Sequence, residues 1–540
     1  MAAICGSVAL TFTVAVVGPS VMEPALPGRA GQPPWAFGAH LSGYLAVGLT
    51  GAALALGTAG LALALRAARG GWPVPARAVL IAGLLAAAAL TLVPPIGSSD
   101  QLSYAAYGRM LVTGHNPYTT TPAQLAALGD PVARAVQDWF TTSSVYGPLA
   151  TGIQGLASLI GGTSVRLTVF VLGLANLAAF AGTALALHRM TRGDPSRQLR
   201  AALLWAANPL LLQLLIAGAH VDVQAAAFAV AGVALLYGPW PRQSPVGGGG
   251  EDHAGVPCQA APRWPRAAGA GILIGLGAAV KVSDVLVGLG LAVALVLGMS
   301  RGRWRLLPPL VALAAGFAAT AGAAVGIGGS SMLRQLWRES DLVSIGSPWR
   351  VIRAVIHVAG AGTAATDIVK VGAAVLAVTL AVLLIRGLPG ADGVAGYPEV
   401  GRAWAAGVYA GAAVAFALVV AWLFAWPYVL PWYDALAWAL LPLVPAGIAV
   451  GDAAGEGICW LLLARTTALG LGYLPARQAD VTLPRGLSWL QPVIRHGVTP
   501  AVLAAATVWL VVLMVRSRRA GRSAPPSGTM GLTPAGVNAP

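Results

Sequence analysis

Asp100 opens the densest polar run of the chain, Gly97-Ser98-Ser99-Asp100, continued by Gln-Leu-Ser-Tyr104-Ala-Ala-Tyr107-Gly108-Arg109. Ser98 or Ser99 can cap a helix that starts near Asp100. On that helix Asp100, Tyr104, Tyr107 and Leu111 recur at helical spacing and share one stripe. A carboxylate followed by two tyrosines on one face suits a sugar: the acid takes a hydroxyl proton and the rings stack on the pyranose. The same stripe suits an acidic residue favouring a helix dipole, with tyrosines at a membrane interface. From the pattern alone the two readings weigh equally. The run continues through Gly114-His115-Asn116-Pro117-Tyr118, Asp130-Pro131, Asp138-Trp139 and Tyr146-Gly147-Pro148. For Asp130 and Asp138, helix-cap or turn roles are expected.

The elements that must hold these residues are apolar. Of 540 residues, 57% are hydrophobic and 9% charged, against about 25% charged in an ordinary soluble domain. So little charge cannot cover a water-soluble fold, and apolar side chains must face lipid. A spanning helix takes about 20 apolar residues. Such runs fall near 2–18, 38–64, 77–96, 165–187, 199–218, 222–238, 267–280, 285–299, 306–326, 366–385, 403–425, 430–450, 457–473 and 499–515. The expected fold is an all-α polytopic membrane protein with about 14 transmembrane helices, in the range 12–15. Short amphipathic helices are expected in its outer loops. The Gly-rich run 146–161 is expected to be re-entrant or interfacial. The first run has no Lys or Arg before it and no Ala-x-Ala pattern after it, and reads as a retained anchor rather than a signal peptide.

The net charge is +15, and Lys281 and Lys370 are the only lysines. Arginines cluster at 66–77, 189–200, 242–266, 301–305 and 516–522. All fall on one side if the N-terminus is inside and 146–161 does not cross, so they read as topology signals rather than a nucleic-acid surface. Both termini are then cytoplasmic, and the loops 97–164, 327–365 and 474–498 lie outside. One membrane domain, 1–515, carries a cytoplasmic Gly/Pro-rich loop at 239–266 with a flexible Gly247–Gly250 run, and 516–540 reads as a disordered tail. Cys5, Cys258 and Cys459 form no Cys-x-x-Cys and no zinc spacing. Phosphate-loop and dinucleotide motifs are absent too. No cofactor, metal or disulfide framework is expected.

The order of several motifs carries a resemblance. Asp100 with Tyr104-x-x-Tyr107-Gly-Arg109, Gly-His115-Asn116-Pro-Tyr, Tyr146-Gly-Pro, Trp205-Ala-Ala-Asn208-Pro209, Gly218-Ala-His220-Val-Asp222, Ala278-Ala-Val-Lys281 and Pro431-Trp432-Tyr433 together resemble the GT-C glycosyltransferases. Within them the chain is similar to the actinobacterial polyprenol-phosphomannose-dependent α-1,6-mannosyltransferases, over roughly residues 80–515. The resemblance implies a multi-pass plasma-membrane enzyme with an extracytoplasmic catalytic face. It would move mannose from a polyprenyl phosphate to a growing α-1,6-mannan of lipomannan type, with inversion. Asp100 alone occupies the place of the family's general base. The implied partners are the polyprenyl-phosphate mannose donor, a mannosylated glycolipid acceptor and membrane lipid, with no nucleic acid.

Around Asp100, the expected substrate-binding residues are Tyr104, Tyr107, His115, Asn116 and Tyr146. His220 and Asp222, where the fifth and sixth runs meet, are expected to bind sugar hydroxyls or orient Asp100. An interfacial His220 and a helix-capping Asp222 are the plain alternative. Trp432 and Tyr433 are expected to stack on sugar, or to belong to an aromatic belt. Lys281 breaks the positive-inside trend, which suggests a lipid-phosphate ligand; a Lys281–Asp284 pair is the alternative. Arg350 after Ser-Pro-Trp, and Arg338, expected to share a helical face with Arg334 and Asp341, are the other phosphate candidates. An amphipathic helix on anionic lipid would explain the same arginines. Arabinosyl or glucosyl transfer by a GT-C enzyme is the second reading of function. A transporter, for which no repeat of halves is visible, or a non-catalytic envelope-assembly protein are the others.

Overall fold

In hydrocarbon, a helix satisfies every backbone N–H and C=O internally, so long apolar runs become helices. The computed structural model describes residues 1–238, 262–300, 302–387, 399–444, 451–476 and 483–523. Among them the secondary structure is all helical. Seven helices are long and apolar enough to cross a membrane, and five shorter apolar ones accompany them. The chain is a multi-pass membrane protein. Large apolar side chains face outward on these helices, as on Ala365–Arg386, where Val371, Val375 and Val378 are all exposed.

Small residues let the helices approach. A Cβ at Gly271 would meet the Leu313 carbonyl, and one at Gly316 would meet the Ala268 carbonyl, so Trp264–Ala278 and Leu307–Glu339 pack backbone to backbone. This is the packing expected where lipid offers no hydrophobic drive between helices. Of the seven long apolar helices, the one from Pro195 to Ala217 is the most enclosed. It breaks after Leu204, where Asn208 caps a new turn by accepting from Leu210 and Leu211 N–H. The buried Trp205 indole donates to Phe180 O at 3.0 Å.

Several elements differ from expectation. The run at 430–450 is, in its described part, three short helical pieces spanning Pro431–Leu443. Pro442 removes an N–H that a continuous helix needs, whereas Pro431 stands at the first position of the first piece, where no N–H is needed. The outer loop expected from residue 327 instead continues the preceding helix to Glu339, with a break at Gly329 (φ 67°). Asp341 therefore lies past the helix end, pairs with Lys370 and does not share a face with Arg334 and Arg338. Pro148–Gly161 is a 14-residue helix that falls short of a spanning length. The Gly247–Gly250 run, Cys258 and the tail from 524 lie outside the described residues.

Candidate active site

The helix carrying Asp100 runs from Asp100 to Val112. Ser98 Oγ accepts the Asp100 N–H at 3.2 Å, while Ser99 Oγ turns away and donates to Asp138 Oδ2 at 2.8 Å. This helix is pressed against Pro148–Gly161. A Cβ at Gly108 would lie 2.1 Å from the Gln154 carbonyl oxygen. That second helix is in turn locked to the end of Trp264–Ala278, because a Cβ at Gly147 would lie 2.2 Å from Ala279 O. Two residues further, the chain delivers Lys281. The close approaches thus fix Asp100 and Lys281 relative to each other.

Asp100 sits between two cavities that both include it in their walls. The first, of about 330 Å³, is mostly aliphatic and aromatic; Asp138, Trp139, Tyr473 and Arg495 are its polar landmarks. The second, of about 250 Å³, is lined by Tyr104, Tyr107, Tyr146, Trp426, Tyr433 and Lys281 among others. Trp139 and Trp432 border both. Trp139 holds a positive φ of 62°, an uncommon backbone state for a bulky side chain. In that pose its indole N–H donates to Asp100 Oδ1 at 3.3 Å.

His220 Nδ1 stands 3.6 Å from Asp100 Oδ2, beyond hydrogen-bond length, and the ring stacks on Trp432 with centroids 3.5 Å apart. Burial raises the Asp100 carboxyl from 3.8 to about 7, and the neighbouring Asp138 carboxylate adds to the rise. The Trp139 hydrogen bond and the Lys281 charge work against it. Burial, with Lys281 close by, pushes the His220 imidazole well below its usual value, so this ring is neutral at pH 7. The result is a carboxyl poised near neutrality, where a general base works best.

Lys281 does not pair with Asp284. Its ammonium bonds the Asp222 carboxylate and lies 3.7 Å from the Tyr433 ring centroid. The 3-10 turn Val282–Asp284 carries Asp284 away into a fully buried place against Gly277. Tyr146 OH donates to Tyr104 OH at 3.3 Å, and Tyr107 OH to Thr142 O at 2.9 Å. The short helical pieces from Pro431 hold Trp432 and Tyr433 in the site. A buried pair anchors them, with Arg465 Nε donating to Asp434 Oδ1 at 2.9 Å and Thr466 donating to Asp434 Oδ2.

The structure thus gathers Asp100, Tyr104, Tyr107, Tyr146, His220, Trp432, Tyr433 and Lys281, with Asp222 behind Lys281. It does not bring in the others. His115 Nδ1 lies 3.1 Å from Thr113 Oγ1, and Asn116 Oδ1 accepts the Tyr118 N–H in a local turn. Arg350, on Pro348–Val358, is not among the residues lining either cavity. Arg338 lines a separate polar recess. Asp130 caps Pro131–Arg134 and accepts from Arg109 at 2.7 Å, the structural role expected. Asp138 has instead a place beside Asp100. Among the described residues no group of His, Cys, Asp and Glu has the arrangement of a metal site.

Residues 1–300 match the family model for the alpha-(1->6)-mannopyranosyltransferase N-terminal domain. The chain belongs to that family. It is 28% identical over 205 residues to alpha-(1->6)-mannopyranosyltransferase B of Corynebacterium glutamicum, a match covering 38% of this chain and 32% of that one. An alpha-(1->6)-mannopyranosyltransferase of Mycobacterium tuberculosis is 32% identical over 163 residues, covering 29% and 27%. The match spans between about a quarter and a third of the length of these curated relatives. Among solved structures, ArnT from Cupriavidus metallidurans is similar at TM-score 0.34 and 14% identity, over 77% of this chain and 71% of that one.

The part matched by the mannopyranosyltransferase family model contains Asp100, Asp138, His220, Asp222 and Lys281. Trp432, Tyr433, Tyr473 and Arg495 complete the walls from beyond it. Asp138, Trp139, Tyr428, Tyr473 and Arg495 are site residues that the sequence reading does not single out. Asp138-Trp139 was visible as a polar pair in the same loop as Asp100. Nothing local marks Arg495, 395 positions from Asp100 in the chain.

Proposed function

We propose that this chain is a GT-C glycosyltransferase that moves mannose from polyprenyl-phosphate mannose to a growing α-1,6-mannan on the outer face of the plasma membrane. The observation that carries the reading is Asp100, a carboxyl raised to about 7 at the junction of two cavities. The two have different chemistry. The aromatic cavity, with Tyr104, Tyr107, Trp426 and Tyr433, suits the acceptor pyranose. The more aliphatic one, with Leu342, Ile345, Leu430 and Leu469 and the Arg495 guanidinium, suits an isoprenoid phosphate. Family membership supports mannose as the sugar and a 1→6 linkage.

In the reaction, Asp100 takes the proton of the acceptor hydroxyl as its oxygen bonds to the anomeric carbon of the donor mannose. The bond from that carbon to the phosphate oxygen breaks on the opposite face, which inverts the configuration. The electron pair leaves on the polyprenyl phosphate, and Arg495 stabilises its developing charge. The Asp100 proton then passes to water. Lys281 bonds Asp222 and holds Tyr433 beneath it; Arg495, which donates to Gly472 O, lines the more aliphatic cavity and is our candidate for the donor phosphate beside Lys281. Trp139, whose indole donates to Asp100 Oδ1, orients the carboxyl, and His220, neutral and stacked on Trp432, packs beside it.

General-base help contributes about 10²–10⁴-fold. Membranes supplied with radiolabelled polyprenyl-phosphate mannose and an oligomannoside acceptor test the reading. Asp100→Asn is expected to lose at least about 100-fold of transfer while reaching the membrane in normal amount. Transfer at the native rate by that variant would remove Asp100 as the base.

A further inference from the structure

A third recess, of about 430 Å³, lies against the aromatic cavity and shares Thr142 and Glu339 with it. One wall is the loop side of the Asp100 segment, lined by Tyr118, Thr119, Thr121, Thr141, Thr142 and Ser143; the Tyr118 hydroxyl is bonded to Thr151 and the Thr121 hydroxyl to Gln124, so the remaining threonines and Ser143 supply its hydroxyl character. The other is the last part of Leu307–Glu339, presenting Ser331, Arg334, Gln335, Arg338 and Glu339. The Gly329 break is what separates this polar segment from the lipid-facing run before it. Successive turns of it place 331, 334–335 and 338–339 on one face, as helical spacing requires.

The lining has a definite chemistry. Threonine and serine side chains on one wall stand with two arginines on the other. One carboxylate is also present, with Gln335 Nε2 bonded to Glu339 Oε1 at 3.0 Å. Arg334 is spread over Ser330 and Ser331 Oγ at 3.0 and 3.1 Å. A site for an anionic headgroup alone would not set a carboxylate beside its arginines. Dense hydroxyls and amides with mixed charge suit a neutral polyhydroxylated ligand, whose hydroxyls need donors and acceptors together. The volume lies in the range of small-ligand pockets.

We propose that this recess is a subsite for the acceptor glycan, holding mannose units next to the one whose hydroxyl faces Asp100. The proposal rests on the reading of the chain as a mannosyltransferase and adds a length preference: acceptors that reach from the aromatic cavity past Thr142 and Glu339 bind more tightly than those that stop short. Arg338, expected from sequence to meet a donor phosphate, then serves the acceptor.

Arg334 and Arg338 are both exposed, so replacing them leaves the packed helices intact. The test measures kcat/KM of purified, liposome-reconstituted protein with α-1,6-mannobiose and α-1,6-mannotetraose glycosides. In R334A/R338A the tetraose-to-biose ratio is expected to fall about tenfold or more, the size of one lost hydrogen bond to a charged group. An unchanged ratio overturns the subsite. So does a loss that follows the fraction of phosphatidylglycerol in the liposomes instead of acceptor length, which would assign the recess to lipid headgroups. Tryptophan fluorescence titration with mannotetraose on Asp100→Asn separates the two readings. Saturable binding that weakens when R334A/R338A is added supports the subsite even if Asp100→Asn still transfers mannose, a result that would overturn the base alone. Equal binding with and without the arginines sinks the subsite and leaves the base untouched.

Discussion

A carboxyl that is ionised only near neutrality in the folded chain makes the fold less stable as pH rises. Between 3.8 and about 7, the unfolded chain has given up the Asp100 proton and the native chain still holds it. Raising pH through that window therefore favours unfolding, and above about 7 the native state carries a buried charge in full. An amide at this position never ionises. Asp100→Asn is expected to melt at higher temperature than the native protein at pH 8, with the gap narrowing toward pH 4, in detergent-solubilised thermal scans. A gap independent of pH would mean that the carboxyl is not held in this way. The residue scale also shows what periodicity can reveal. Asp100, Tyr104 and Tyr107 line one cavity because helical spacing put them on one face, and the sequence alone gives that spacing. Leu111, on the same stripe, is exposed. The Asp222 partner of Lys281 lies 59 positions away and was passed over for the nearer Asp284, because chain separation says nothing about distance across a helix bundle.

At the scale of elements, the site depends on glycines more than on long side chains. Gly108 and Gly147 each meet a backbone carbonyl at a distance no Cβ tolerates. Gly108→Ala must push the Asp100 helix off Pro148–Gly161. A displacement of about 1 Å can cost about 100-fold in rate, and overpacking costs about 1–3 kcal/mol of stability. Gly152 lies on the same helix with open space around it, so Gly152→Ala is expected to leave rate and melting temperature near native. Transfer assays and thermal scans of the pair check this; equal behaviour would deny the tight contact its part. Apolar runs were readable as helices because lipid leaves the backbone no other solution. At Pro442 the described part of the run at 430–450 turns from α-helix to a 3-10 piece, and the rest of that run lies outside the described residues. The Gly328-Gly329-Ser330-Ser331 run is a turn signal in the sequence, so the expected helix ends there; that the chain resumes a helix to Glu339 and builds the polar wall has no comparable local mark.

For the whole molecule, the account requires Asp100 and its cavities to face away from the cytoplasm. Leu128, strongly exposed in the same loop segment, offers a position for a label. In a chain whose native cysteines are replaced by serine, Leu128→Cys is expected to react with membrane-impermeant maleimide on intact cells; reaction only after permeabilisation would reverse the orientation. The pH dependence of kcat/KM for transfer from polyprenyl-phosphate mannose bears most directly on the central claim. With Asp100 as the base, kcat/KM rises about tenfold per pH unit at low pH, bends near pH 7 where the carboxyl ionises, and levels above it. In Asp100→Asn that bend disappears along with most of the rate. A native profile flat from pH 5 to 9, or the same bend persisting in Asp100→Asn, would contradict it.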